Sequence, residues 1–421
     1  MAVSSTLDND SYNYSYRFPV HIDFYDYRAI CLFFACLIYA LFGSPTPDSL
    51  SIVEILVGIL LALAIGIGRV RDAILRPVRY RFWKSAGQLF LLYGLSVPFI
   101  VAVLNGYDLR AILRDFIPFL FLFLPLFLLP LIRARPYYFR SILFAFILIG
   151  LLFSMRSILM RYDLECKIWC VDELLYLENM PSVLFAALFL IGSAIAVMTR
   201  GLNIKNVIIF FALIALSVLP IVAMISTIQR ASLGAVALYI IVIQGYFRYK
   251  SPVRGGNALL MMVIVAIVIN FSFTAVFTSL WDKTQNVGLN MRPQEMEAVW
   301  QVLTSDLLTF LFGIGWGGHF NSPAVGGLSV NFTHNFFSSI FLKTGIIGLT
   351  LSIAYIAGLL ERLSRVIIKI PVLGLALFLP IFIDLTLYAS FKSLDFGLAI
   401  LMISGSLVYF RQPESVSETL S

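Results

Sequence analysis

Apolar runs of about 20 residues recur between residues 28 and 410, and this feature limits the fold more than any other. Each run is long enough to cross the roughly 30 Å hydrocarbon layer of a bilayer as a helix. Charged residues make up 13% of the 421 residues, whereas soluble domains carry about 25%. A soluble core cannot hide this many apolar runs. The chain is therefore predicted to be an all-α, polytopic membrane protein with one integral membrane domain.

The hydropathy pattern predicts about twelve transmembrane helices. We place them at 28–44, 51–68, 86–104, 112–132, 139–155, 181–199, 206–226, 231–247, 257–277, 336–359, 366–388 and 394–410. An even number of spans puts both termini on the same side of the membrane.

Lysine and arginine concentrate in alternate loops, on the side of the two termini. Because basic residues mark cytoplasmic loops, both termini are predicted to be cytoplasmic. The net charge of +7 then reflects topology, and we expect no nucleic-acid partner. The long loop before the tenth span, 278–335, faces outward, which in a Gram-negative inner membrane means the periplasm.

The four cysteines form two pairs. Cys31 and Cys36 lie in the first apolar run and are predicted to be packing residues. Cys166 and Cys170 lie in an outward loop, where oxidising surroundings permit a disulfide; a disulfide and two free thiols both stay open. Two cysteines without nearby histidines make a poor zinc site.

Two arginines on the outward side are candidate anion ligands. Arg230 stands beside Ala231 and Ser232 at the start of the eighth span, where a helix N-terminus favours an oxyanion; the alternative is an anchor at the lipid interface. Arg292 precedes Pro293, which is typical of the first turn of a helix. The alternative for Arg292 is an ion pair with Glu295 or Glu297 of that turn.

Two histidines lie in the long outward loop. His334 precedes Asn335 at the head of the tenth span, and a histidine near neutral pH can accept a proton from an attacking hydroxyl. The alternative is a helix-capping or interface residue. His319 follows a glycine run, Gly313 to Gly318, and either assists His334 or only decorates a turn.

Several charges fall within or beside apolar runs. Lys343 lies inside the tenth span, Asp384 inside the eleventh, and Lys392 and Asp395 flank the start of the twelfth. Such charges are expensive in a membrane, so they are paired or functional. Pairing of Lys343 with Asp384 or Asp395 and a functional role for Lys343 both stay open.

The order of these residues resembles the O-antigen polymerase and O-antigen ligase superfamily of bacterial inner-membrane glycosyltransferases. That family has about twelve spans, an early outward arginine, a second arginine opening a large loop, a Gly-x-Gly element and a His-Asn pair. The matching positions here are Arg230, Arg292, Gly313-Ile-Gly315 and His334-Asn335, with Gly345-Ile-Ile-Gly348 following at the family's spacing. Two positions depart from the common pattern, Gln229 and Thr333, and they bear on the subfamily.

The resemblance implies transfer of an undecaprenyl-diphosphate-linked glycan onto an acceptor hydroxyl at the periplasmic face. It gives Arg230 and Arg292 the role of stabilising the leaving diphosphate and His334 the role of base. Substrate-binding residues are expected to be Asn335, Gly315, His319, Lys392 and Lys343. The outward loops show no Asp-x-Asp cluster, so we expect no metal and no cofactor. Expected partners are the lipid bilayer and a chain-length regulator and flippase of the same pathway.

Polymerase and ligase share this chemistry and differ in the acceptor. The sequence favours a polymerase slightly, because Gln229 precedes Arg230 and Thr333 precedes the His-Asn pair, and these are the two departures from the common pattern. Two other classes stay open. A polysaccharide flippase or transporter would place charges along a path through the membrane, and a structural membrane protein would need none of the three candidate catalytic residues.

Overall fold

The computed structural model describes residues 23–44, 51–76, 81–161, 177–269 and 291–410. In these segments the chain forms sixteen α-helices and one two-stranded antiparallel sheet. The helices are α1 (Phe24–Phe42), α2 (Ile52–Ile65), α3 (Ile67–Leu75), α4 (Phe82–Leu104), α5 (Leu109–Phe121), α6 (Leu124–Ala134), α7 (Tyr138–Arg161), α8 (Pro181–Met198), α9 (Ile204–Ser226), α10 (Arg230–Lys250), α11 (Pro252–Ile269), α12 (Arg292–Leu303), α13 (Leu307–Phe312), α14 (Phe336–Lys369), α15 (Pro371–Thr386) and α16 (Leu394–Tyr409). The strands are β1 (Phe320–Ser322) and β2 (Leu328–Val330).

The prediction of an all-α, multi-pass membrane protein is confirmed. Among the described residues, eight helical stretches are long and apolar enough to cross a membrane, or up to nine if the bent pair α2 and α3 counts as one. Three further apolar helices are shorter, in α11, α15 and α16. Each of the twelve predicted spans overlaps a helix. The count of twelve and the orientation in the membrane stay predictions.

Several helices deviate from the predicted boundaries because the chain breaks or continues where hydropathy gives no signal. Gly66, at φ 74°, bends α2 against α3 by 69°. The fourth predicted span divides into α5 and α6. Helix α14 runs for 34 residues, beyond the predicted end at 359, and its backbone leaves helical geometry at Gly345.

Helix α8 is the most buried candidate span and packs against α7, α9 and α15. Cys31 and Cys36 are buried in α1 with free thiols, as the packing prediction expected. The loop with Cys166 and Cys170 lies outside the described residues.

Two buried arginines hold helix ends by donating to carbonyls that a helix C-terminus leaves free. Arg28 donates to the backbone oxygens of Ala64 and Ile65 at 2.7 Å each. Arg156 donates to the backbone oxygens of Ala40 and Gly43 at 3.0 Å each. The C-terminal ends of α1 and α2 are thereby fixed by side-chain bonds as well as by packing.

One face of the bundle collects the helix ends that carry the candidate site. Asp395, at the start of α16, accepts hydrogen bonds from Tyr39 near the end of α1 and from Ser182 at the start of α8. Asn335, before α14, donates to the backbone oxygen of Thr386 at the end of α15 at 3.3 Å. These bonds place the predicted outward loops next to one another.

Candidate active site

The described part of the predicted outward loop, residues 291–335, is a folded unit. It contains α12, α13, the glycine run and the β1–β2 hairpin. A separate apolar cluster joins this unit to α14 through Val299, Leu303, Phe320, Phe341 and Leu342. Residues 278–290 of the predicted loop lie outside the described residues. The unit is thus mounted on the first half of α14, next to its break.

The glycine run packs against that break through backbone contacts. Ile314 N donates to Leu342 O at 2.9 Å, and Gly315 N donates to Lys343 O at 3.1 Å. Gly313 and Gly345 have φ values of 77° and 66°, a region that favours glycine. A Cβ on Gly345 would overlap the backbone of Leu311 and Phe312. The break in α14 therefore supplies carbonyls that bind the loop.

Gly315 also packs against α4, where a Cβ would lie 2.7 Å from Ala102 N and 2.9 Å from Pro98 O. This close approach explains the glycine by packing alone. Its predicted contact with substrate stays a prediction.

Lys343 is paired with Asp115 of α5, so its predicted pairing with Asp384 or Asp395 is wrong. The ion pair measures 2.6 Å, and each side chain is 2% exposed. Lys392 binds the other carboxylate oxygen of Asp115 at 3.1 Å. Two backbone groups complete the cluster, because Gly317 N donates to Asp115 at 2.8 Å and Lys343 donates to Gly318 O at 2.5 Å. The alternative carboxylates are engaged elsewhere, since Asp384 accepts from Ser390 at 2.9 Å and Asp395 from Ser182 at 2.7 Å.

His334 is held by a buried carboxylate. Its Nδ1 lies 3.1 Å from Oε1 of Glu295, and its backbone N donates to Oε2 at 3.0 Å. Ser322 donates to Oε1 of the same carboxylate at 2.7 Å. The His334 side chain is 28% exposed and that of Glu295 is 2% exposed. The carboxylate therefore fixes the ring through Nδ1 and leaves Nε2 as the nitrogen for other chemistry.

Glu295 is held ionised by these contacts. Burial acts to raise the pKa of Glu295, but the hydrogen bonds from the side chain and backbone of His334 and from Ser322 outweigh it, and the pKa is lowered. A carboxylate that accepts several hydrogen bonds favours its charged form. The dyad thus has a fixed negative charge behind the imidazole at neutral pH.

Asn335, not His334, caps α14. Its Oδ1 accepts from Phe337 N at 2.8 Å and from Ser338 N at 3.3 Å. Capping occupies the amide oxygen and the bond to Thr386 occupies the amide nitrogen. The helix-capping alternative for His334 is therefore wrong, and the substrate-binding role of Asn335 stays a prediction.

Arg292 is the first residue of α12. The helix therefore begins within one residue of the start that Pro293 predicted. Its guanidinium carbon lies 6.0 Å from the centre of the Tyr388 ring. The Nε atom is buried and makes no hydrogen bond to any part of the chain that the structure describes. The ion pair predicted as an alternative, with Glu295 or Glu297, is not among the ion pairs of the described residues. The carboxylate of Glu295 bonds to His334 and Ser322 instead.

Arg230 opens α10 close enough to Arg292 for their charges to interact. Burial lowers the pKa of Arg292, Tyr388 and Glu295 oppose that shift, and the positive charge of Arg230 adds to it. Both guanidinium groups also act on Tyr388, whose pKa is raised by burial against their influence and that of a hydrogen bond with Ser232. The two arginines therefore lie within electrostatic range of each other and of Tyr388, and Arg292 lies on the same helix as Glu295.

Strained backbone precedes both arginines. Ile228 has φ 53° and Met291 has φ 56°, and they are the two non-glycine residues with positive φ in the described segments. A side chain in this region costs about 1–3 kcal/mol, and such strain concentrates at functional sites. Both residues thus lie within two positions of a candidate anion ligand, Arg230 or Arg292.

Two predicted substrate-binding residues, His319 and Lys392, make no hydrogen bond to the Glu295–His334 dyad in the part of the chain that the structure describes. His319 is exposed just before β1, and its role beside His334 stays a prediction. Lys392 lies four residues after Tyr388 and is tied to Asp115, so its predicted substrate contact would start from a side chain that is already paired.

Sequence reasoning missed three residues of this region, Glu295, Tyr388 and Asp115. Glu295 was considered only as a partner of Arg292. A usable signal was present, because Glu295, Val299 and Leu303 share one face of α12 and are all buried. A carboxylate within an apolar helical stripe needs a specific partner. No comparable signal marks Tyr388.

The arrangement combines a proton acceptor with paired cations. A neutral imidazole backed by a carboxylate can accept a proton, and two guanidinium groups can bind a diphosphate through charged hydrogen bonds.

No family model matches this chain. A search of curated proteins likewise finds no match.

Proposed function

We propose that the chain is a membrane glycosyltransferase that moves a glycan from undecaprenyl diphosphate to an acceptor sugar hydroxyl, at the periplasmic face of the bacterial inner membrane. The observation that carries the proposal is the grouping of Arg230, Arg292 and the Glu295–His334 dyad. The sequence resemblance to O-antigen polymerases and ligases supplies the substrate class.

In the proposed reaction, the acceptor hydroxyl oxygen attacks the anomeric carbon of the donor sugar. The bond between that carbon and the diphosphate oxygen breaks, and its electron pair leaves with the lipid diphosphate. His334 accepts the hydroxyl proton on Nε2 while Glu295 stabilises the resulting imidazolium. Arg230 and Arg292 stabilise the charge that develops on the diphosphate.

The guanidinium pair suits this leaving group. A diphosphate carries several oxygens, and a guanidinium can bind two of them at once. Before substrate arrives, the two cations raise each other's energy, and an anion between them removes that repulsion. The Nε of Arg292, which has no hydrogen-bond partner among the described residues, offers one donor for such an anion.

The buried charges favour an enzyme over a transporter. A transporter would use intramembrane charges along its path. Lys343 and Asp115 instead form a closed pair that also bonds to the backbone of Gly317 and Gly318. These bonds hold α5, α14 and the glycine run together, so this charged pair has a structural role.

Complementation of a deletion strain tests the proposal. We expect loss of long glycan ladders with His334→Ala, Arg230→Ala or Arg292→Ala at normal protein level, and full ladders with the control Arg365→Ala, whose side chain pairs with Glu361 on the exposed part of α14. Ladders retained by all three site variants would refute the assignment.

The deletion phenotype separates polymerase from ligase. A polymerase, which we favour, adds one more lipid-linked repeat, so its loss leaves single-repeat caps on the lipid A core. A ligase joins the finished chain to that core, so its loss leaves bare core and accumulated lipid-linked polymer.

A further inference from the structure

The unit formed by α12 and α13 exposes a strip of large apolar side chains. Leu307 and Leu308 are 72% and 68% exposed, and Met296 and Trp300 are each 54% exposed. If this apolar area were exposed to water, its exposure would cost roughly 25 cal/mol of free energy per Å². The strip therefore needs a covering.

Helix α12 has a second, polar flank. Glu295, Val299 and Leu303 form its buried face. Met296 and Trp300 are four residues apart and so lie on one flank, whereas Glu297 and Gln301 lie on another flank and are exposed. The helix thus has one flank suited to an apolar medium and one suited to water.

Helix α13 reaches the depth of the spans. Its end at Leu311 and Phe312 packs against Gly345, which lies nine residues into α14, or about 14 Å along a helix. On the other side, Trp316 N donates to Pro98 O at 3.2 Å, and Pro98 lies six residues before the end of α4, or about 9 Å. The unit dips beside two spans and does not stand above them.

The strip belongs to a unit that contacts two candidate spans, α4 and α14. Helix α13 contacts both α4 and α14, and α4 carries the exposed apolar side chains Ile100, Val103 and Leu104 in a candidate span. Trp300 belongs to the strip, and its ring centre lies 6.2 Å from that of Phe310 and 6.1 Å from that of Phe341. Tryptophan is typical of the membrane–water interface.

We propose that α13 and the Met296–Trp300 flank of α12 are embedded in the lipid leaflet on the His334 side of the membrane. The segment predicted from sequence as a periplasmic loop is then a re-entrant interfacial element. Its lipid contact holds α12, and with it Arg292 and Glu295, at the level of lipid headgroups. This inference does not depend on the reaction proposed above.

Spin-label accessibility tests the proposal with a matched pair of positions. Leu308→Cys and Gln301→Cys are introduced into the full-length chain with its four cysteines replaced by serine, then labelled and placed in phosphatidylcholine vesicles. Oxygen partitions into lipid and a nickel chelate stays in water. We expect the oxygen-to-nickel accessibility ratio to be several-fold higher at 308 than at 301.

Two results would overturn the proposal. A label at 308 that is as open to nickel as the label at 301 would place the strip in water. A label at 308 shielded from both reagents would mean a protein covering, by residues 270–290 of this chain or by a second copy.

A second measurement serves if the cysteine-free chain does not fold. Brominated phosphatidylcholine quenches tryptophan fluorescence at short range. In otherwise unchanged protein, we expect Trp300→Phe to remove a substantial part of the quenching, whereas Trp316→Phe, at a site that is buried inside the bundle, removes little. Equal quenching in wild type and Trp300→Phe would contradict the lipid contact.

Discussion

Nδ1 of His334 lies 3.1 Å from Oε1 of Glu295, and the backbone N of His334 donates to the other carboxylate oxygen at 3.0 Å. The two residues come from different elements, α12 and the segment before α14. Their bonds fix both the ring and the chain that carries it. We therefore expect the proposed base to depend on Glu295, whose carboxylate is buried behind the ring.

Glu295→Gln keeps the size of the side chain and removes its charge. Because the imidazolium loses its stabilising partner, we expect kcat to fall about 10²-fold or more, with little change in KM for the lipid-linked donor. Glu295→Asp should recover part of the rate. Steady-state kinetics on purified protein measure both. A fall that appears only in KM would contradict the positioning role.

The same carboxylate predicts a pH dependence of stability. Its pKa in the folded state is lowered from the usual 4.5, so its stabilising contribution is present above the unfolded pKa and is lost as pH falls through the folded value. We expect wild type to melt at a higher temperature than Glu295→Gln near neutral pH, and the difference to shrink below about pH 4.5. Thermal unfolding in detergent at several pH values measures it. A difference that grows on acidification would contradict this sign.

Arg292→Lys retains the charge but not the planar donor fork. Because an ammonium cannot bind two diphosphate oxygens in the same way, we expect donor KM to rise about 10- to 100-fold, the equivalent of a lost charged hydrogen bond of about 1.5–3 kcal/mol. The exposed control Arg365→Lys should leave KM unchanged. Unaltered donor KM together with unaltered kcat in Arg292→Lys would remove Arg292 from the diphosphate site.

Asp115→Asn tests the structural interpretation of the buried lysines. The change leaves Lys343 and Lys392 without a counter-charge, and such a loss costs about 3–5 kcal/mol for a buried pair. We expect a clear drop in melting temperature, and a smaller drop in the double variant Asp115→Asn/Lys343→Met, which also removes one stranded cation. A double variant no more stable than the single one would argue against the pair as the source.

Much of the scaffold follows from local sequence. Apolar runs mark the helices because each must satisfy its backbone bonds within itself in lipid, and Pro293 marks the start of α12. Arg230, Arg292 and His334 stand out in the sequence because each lies at the predicted start of a helix on the outward side. The pairing of Lys343 with Asp115 had no local signal, since the choice among three buried carboxylates depends on how α5, α14 and the glycine run pack.

The re-entrant position of α13 was also beyond the sequence pattern. A run of six residues, Leu307–Phe312, is too short to register as a membrane segment, and its depth follows from the break at Gly345. Likewise Glu295 lies one helical turn from Arg292, but its observed partners are distant in sequence. Ser322 is 27 residues away and His334 is 39 residues away.

The most direct test is transfer by the purified protein in vesicles, measured as release of undecaprenyl diphosphate from a lipid-linked oligosaccharide in the presence of an acceptor. The account predicts turnover by wild type and a loss of about 10²- to 10⁴-fold in His334→Ala, with the control Arg365→Ala unchanged. Turnover by His334→Ala equal to wild type would contradict the central claim.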